Sequence, residues 1–163
     1  MAFQVADAVP GPAIRGGGRL VADDGREATL RDLRLEATAQ GGLARVTLTQ
    51  RFSNGHPEPL VLTLHMALPA DGAIAGYMID LDQQRIVGRV EPRTAARRQF
   101  EAALLEGRLG SVLEEERPSV FMQSIGNLPP GADVVVTVLV DQPLAWLAEG
   151  AWEWRFPTVV APR

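Results

Sequence analysis

The stretch that decides the fold runs from Glu91 to Gly131, EPRTAARRQFEAALLEGRLGSVLEEERPSVFMQSIGNLPPG. Pro92 suits a first helical position, where a missing N–H costs nothing. Ala96, Phe100, Ala103 and Leu104 then recur at i, i+4, i+7 and i+8, which is one helical face. Gly107 and Gly110 supply the stop. The spacing predicts one helix over about residues 92–106, with Phe100 as its anchor. Beyond the stop come Val112-Leu113, three glutamates (Glu114, Glu115, Glu116) and Arg117-Pro118, then an extended run from Ser119 to Ile125 and the turn Leu128-Pro129-Pro130-Gly131.

Around that segment the chain reads as short strands. Leu43 to Phe52 alternates cleanly, with Ala44, Val46, Leu48, Gln50 and Phe52 on one face and Arg45, Thr47, Thr49 and Arg51 on the other. Period two with one polar side describes a half-buried antiparallel strand. Gln50 is the polar exception, expected as a satisfied amide that fixes a loop backbone. Leu33–Thr38 pairs with this strand, and Leu20-Val21 opens a hairpin through Asp23-Asp24-Gly25. Further strands are expected at 60–68, 73–81, 85–90, 120–125, 132–140 and 151–156. Many short strands and one helix predict a mostly β domain, an antiparallel sandwich-like sheet with one docked α-helix. Residues 1–18, ending in PGPAIRGGG, are expected as a flexible lead-in to a domain spanning 19–163.

These motifs, taken in order, resemble the VIT domain (vault protein inter-alpha-trypsin domain). The resemblance rests on Ala95, Phe100, Ala103 and Gly107 in the helix, then Val112-Leu113-Glu114, Arg117-Pro118, Phe121 and Asn127 to Gly131. Outside that stretch it rests on VTLTQRFSNG (46–55), LHMALPADGAIAGYMIDL (64–81) and the closing FPTVVAPR (156–163). It covers about residues 28 to 163. The chain departs from the family pattern at Val140-Asp141, at Ser119 and at Phe100, where many members carry tyrosine, asparagine and tyrosine. The resemblance implies a non-catalytic protein-interaction or scaffolding module, N-terminal to a von Willebrand factor A-type domain that would pack against it in cis. It also implies a secreted or cell-surface setting, and the ending at Val-Val-Ala-Pro-Arg suits a boundary before such a domain.

Composition limits the alternatives. With 163 residues, one domain with one core is the default, and the absence of cysteine carries no stability penalty at this size. A formal net charge of −4 argues against nucleic acid as a partner. All 16 basic residues are arginine, a bias that points to a GC-rich bacterial genome. The most apolar run, Val134 to Val140, falls far short of the ~20 residues of a transmembrane helix, so this segment is expected not to insert in a membrane. The N-terminal residues lack the basic and apolar regions of a signal peptide.

No catalytic, metal or cofactor constellation can be assembled from the residues. The two histidines, His56 and His65, fall in a turn and on the outward side of a strand, with no H-E-x-x-H pattern. The residues singled out for interaction are charged or aromatic. Arg93, Arg97 and Arg98 lie in the first half of the helix, where cations oppose the macrodipole by roughly 0.3–1 kcal/mol each. Two readings of Glu114, Glu115 and Glu116 follow: one or more pairs with these arginines or with a partner's basic surface, or the three form an exposed charge run with no specific partner, the commoner case given how little surface pairs contribute. Trp146, in the loop 144–147, is the expected exposed aromatic. Trp152 and Trp154 alternate with Phe156 and could stack on sugar rings, which is the carbohydrate-binding alternative. Burial is the commoner fate of such a stripe, so Trp152 and Trp154 are placed in the core with Phe52, Phe100, Leu104 and Phe121.

Overall fold

The computed structural model describes residues 20–82 and 84–157. The expected lead-in over 1–18 and the last residues of the closing motif lie outside them. Eleven strands and one helix follow in chain order: β1 (Leu20–Val21), β2 (Glu27–Gln40), β3 (Leu43–Ser53), β4 (Leu60–Ala67), β5 (Ala73–Leu81), β6 (Gln84–Val87), α1 (Arg93–Leu105), β7 (Gly110–Arg117), β8 (Val120–Leu128), β9 (Asp133–Pro143), β10 (Ala145–Trp146) and β11 (Trp152–Glu153).

Nine strands make one antiparallel sheet in the order β6-β5-β9-β3-β2-β1-β4-β8-β7. The expected mostly β domain with one helix is present, and its layers belong to a single curled sheet. Among the described residues β1 joins the two halves, pairing with β2 through Leu20↔Ala28 and with β4 through Leu20↔Leu64. The curl brings β5 to β7, where the Tyr77 hydroxyl and Ser111 Oγ share a hydrogen bond of 2.6 Å. Ser111 Oγ also donates to the Ser124 carbonyl at 2.7 Å, so this link is anchored in β8.

Both halves of the sheet turn an apolar face to a common core. Val46, Leu48 and Phe52 of β3 meet Val134, Val136, Val138 and Val140 of β9 on one side, and Leu60, Leu62 and Leu64 of β4 with Ile125 and Leu128 of β8 face them. Phe52 is fully buried. The alternation read in β3 follows directly, because its odd-numbered residues from Arg45 to Arg51 lie outside and the even-numbered ones lie within.

Gln50 departs from its expected role. It is buried, but its Oε1 has no hydrogen-bond partner among the described residues. The amide that fixes a loop is Asn54, four residues on. Its Nδ2 donates to the carbonyls of Glu58, Leu128 and Pro129 at 2.9, 3.0 and 3.1 Å, and its Oδ1 accepts from the His56 N–H at 3.0 Å. A buried amide with both ends satisfied ties two turns together. Strand alternation could not single it out, because Asn54 stands just past the end of β3.

Candidate interaction site: a clamped helix and a tryptophan hairpin

Helix α1 lies on the outer face of β7 and β8, and the sequence explains how. Gly110 and Gly126 are direct cross-strand partners. Together they leave a bare patch of backbone, and Phe100, Ala103 and Leu104 occupy the space above it. A Cβ on Gly110 would stand 3.0 Å from the Ala103 methyl group, and one on Gly126 would overlap the Leu104 side chain. Glycine is required here by close approach, not by dihedral angle. Ala103 is the buried residue of the helix; Phe100 and Leu104 are half-buried, so they rest on the sheet from outside and do not enter the main core. Phe121 is likewise half-buried, packed against the rim of the core.

The ends of α1 are held by two polar groups from the sheet. Its first turn has no acidic residue and its N-cap, Pro92, makes no side-chain cap bond. The missing anion comes from β7. Glu114 is 7% exposed and accepts from Arg93 Nε at 2.8 Å and from Arg97 Nε at 2.9 and 3.1 Å. Its carboxylate thus offsets two arginines and the positive end of the helix dipole together. The Arg97 hydrogen bond, opposed by partial burial and helped by Arg93, holds the Glu114 carboxyl below its ordinary value. At the other end the chain closes in a Schellman arrangement. Arg108 N–H donates to Ala103 and Gly107 N–H to Leu104, with Gly107 at φ +67°. Asn127 Nδ2 adds bonds to the carbonyls of Leu104 at 3.2 Å and Arg108 at 2.9 Å.

The three glutamates therefore have three different environments. Glu114 is consumed by the helix arginines, Glu116 reaches His65 Nδ1 at 3.2 Å, and Glu115 is exposed. His65 is exposed on the outward side of its strand, as expected there. Glu116 stands at a register irregularity between Glu115 and Arg117 in the β7–β8 pairing. Arg98 is exposed and has no ion-pair partner among the described residues. His56 Nε2 lies 3.1 Å from the Glu27 carbonyl oxygen, on a different element from His65. Among the described residues no three of His, Asp and Glu gather as a metal site, and no helix is long and apolar enough to cross a membrane.

The tryptophans do not enter the core. Trp152 is 53% exposed and Trp154 38%, and Trp146 is exposed as expected. The reason is topological: β10 and β11 form a separate two-stranded ribbon, Ala145↔Glu153 and Trp146↔Trp152, that no second layer covers. Trp146 and Trp152 meet edge to face at 4.8 Å, the Trp152 ring lies over Gly42, and Trp154 Nε1 donates to Gln142 Oε1 at 3.1 Å. These contacts fix the indoles against the hairpin while leaving all three exposed. Phe156, the last member of the stripe, is half-buried against the core.

Comparison with known sequences bears on this geometry. The family model described as "Vault protein inter-alpha-trypsin domain" matches residues 30–139, from β2 to the middle of β9 and including the clamped helix. The chain belongs to this family. Among similar proteins, von Willebrand factor A domain-containing protein 5A of Mus musculus is 28% identical over 146 residues, 88% of this chain and 18% of the relative. The Homo sapiens protein of the same name is 30% identical over 123 residues, 74% of this chain and 16% of the relative. Protein mono-ADP-ribosyltransferase PARP4 of Homo sapiens is 24% identical over 160 residues, 98% of this chain and 9% of that protein. This VIT domain thus spans less than a fifth of each of these relatives. The transferase activity in the last name is that of a protein more than ten times longer than the match.

Proposed function

We propose that this VIT domain is a non-catalytic interaction module that holds a von Willebrand factor A-type domain in cis, or a protein partner in trans. The observation that carries the reading is the pairing of family membership with relatives named for a von Willebrand factor A domain. The geometry adds where contact would occur. Glu114, Arg93 and Arg97 are spent on one another, so Glu115, Glu116, Arg98 and Trp146 remain as the outward-facing members of the expected set. Trp146 joins Trp152 edge to face in the exposed hairpin. Exposed aromatics beside a polar rim are the usual anchors of such contacts. The arginine-only basic complement supports a bacterial source, and the family resemblance supports a secreted or surface setting.

The test is hydrogen exchange and tryptophan fluorescence on residues 1–163, alone and joined to a von Willebrand factor A-type domain. Docking in cis slows exchange around 145–153 and shifts the indole emission to the blue. Equal exchange and emission in the two proteins would remove the cis reading.

The exposed indoles favour a second reading, a carbohydrate-binding face. Stacking on a sugar needs a ring face presented within a groove. The shallow groove beside them is lined by Gln142, Pro143, Glu153, Arg155 and Phe156 and by none of the three tryptophans. Loss of glycan-array binding in Trp152→Ala would revive this reading.

A further inference from the structure

Strand β2 has an edge that nothing in the described structure pairs. On one side Thr29–Gln40 runs beside β3. On the other, β1 covers only Glu27 and Ala28, so the strand from Leu30 to Gln40 presents free backbone N–H and C=O groups among the described residues. Its core-side residues are also bare. Leu33, Leu35, Ala37 and Ala39 stand opposite Gln50, Leu48, Val46 and Ala44, all buried. They therefore share the inward face, yet both leucines are 38% exposed and both alanines are exposed. Edge strands of this length are ordinarily blunted by charge. Here the charges are Arg31, Asp32, Arg34 and Glu36, of which Arg34 and Glu36 pair with each other at 2.8 Å on the outer face.

That pair is self-complementary. Placed antiparallel against a second β2 about a two-fold axis at Leu35, Arg34 of each strand faces Glu36 of the other, and Leu33 faces Ala37 on the inner face. Directly opposed unlike charges and apolar pairs are the units that stabilise an antiparallel ladder. A closed two-fold contact is also the commonest symmetry of homo-oligomers. We propose that β2 is a homodimerisation edge, on which a second copy of this chain adds its own β2 antiparallel and in register about Leu35.

Charge reversal tests both the partner and the register. The measurement is mass by light scattering or sedimentation across the micromolar range. The intact chain is expected at twice the monomer mass at high concentration. Arg34→Glu alone and Glu36→Arg alone each place like charges opposite one another and are expected to run as monomers, with circular dichroism unchanged because both side chains are exposed. The two single variants mixed together restore every unlike pair and are expected to recover the dimer, as is the double variant R34E/E36R. An intact chain that stays monomeric overturns the proposal. So do single variants that still dimerise, since a different surface would then be responsible. Amides of residues 30–40 protected from exchange in a dilute monomer would show that another part of the same chain holds the edge, which also overturns it. These outcomes are independent of whether a von Willebrand factor A-type domain docks elsewhere.

Discussion

Strand β7 carries Glu114 beneath a helix, whereas strand β2 carries Arg34 and Glu36 in open water. Both mix charge with apolar residues. What separates them is the adjoining chain. Two glycines, Gly110 and Gly126, let α1 approach β7 and β8 closely, and the arginines of α1 make burial of Glu114 tolerable. A buried carboxylate without such partners would lose its charge or be expelled. Strand β2 has no glycine platform and no arginine-bearing cover, so its charges pair laterally and its leucines stay half open. A charged residue in a strand thus reports burial only together with what packs above it.

The largest expected effect sits at the platform. Gly126→Val places two methyl groups where Leu104 and Phe100 pack, and overpacking of this kind costs about 3 kcal/mol. Gly55, with open space around it, is the control, and Gly55→Ala should change the unfolding free energy by less than about 0.5 kcal/mol. Equal midpoints for the two variants would dismiss the platform.

Next comes the clamp. Removing one member of a buried ion pair costs about 3–5 kcal/mol, but Arg93 and Arg97 are half exposed and recover solvation, so Glu114→Ala is expected to cost about 2 kcal/mol. The pH dependence has a definite sign. The folded-state pKa of Glu114 lies below its ordinary 4.5. Its contribution is therefore complete above that value and is lost as pH falls through the lower folded value. Glu114→Gln should accordingly be less stable than the intact chain at neutral pH, with the gap narrowing under acid. A gap independent of pH would mean that packing, not charge, holds Glu114 in place.

Phe100→Ala is expected to cost about 2 kcal/mol, below the usual range for emptying an aromatic site, because the ring is half-buried. Asn127→Ala follows at about 1 kcal/mol, the worth of a helix-terminal side-chain bond. Smallest is Arg34→Ala, under about 0.5 kcal/mol for an exposed lateral pair. If urea titrations ranked Arg34→Ala above Glu114→Ala, the contrast between the two strands would be reversed.

The tryptophan hairpin shows where strand reading misleads. Trp152 and Trp154 alternate as core residues do, yet an alternating face is buried only if a second layer reaches it. β11 ends after two residues on a ribbon outside the main sheet. Strand β7 shows the opposite error. Gly110, Val112 and Glu114 face the helix while Ser111 and Leu113 face inward. Both faces are covered, so the strand has no polar side and no period-two signal, and the sequence assigns residues 110–117 to no strand. Asn127 is visible only as part of a family motif and Gly126 in none, because their role against the helix end has no local signature.

By itself the sequence determined the helix, its apolar face, most strands and the family, because periodicity and turn chemistry are local and survive without knowledge of neighbours. The tertiary structure alone decided that the sheet is one curled surface, that Glu114 among three glutamates goes under the helix, and that the tryptophans and β2 remain open. Those outcomes depend on which elements reach which faces across tens of residues, and burial is a property of the pair in contact, not of either strand alone.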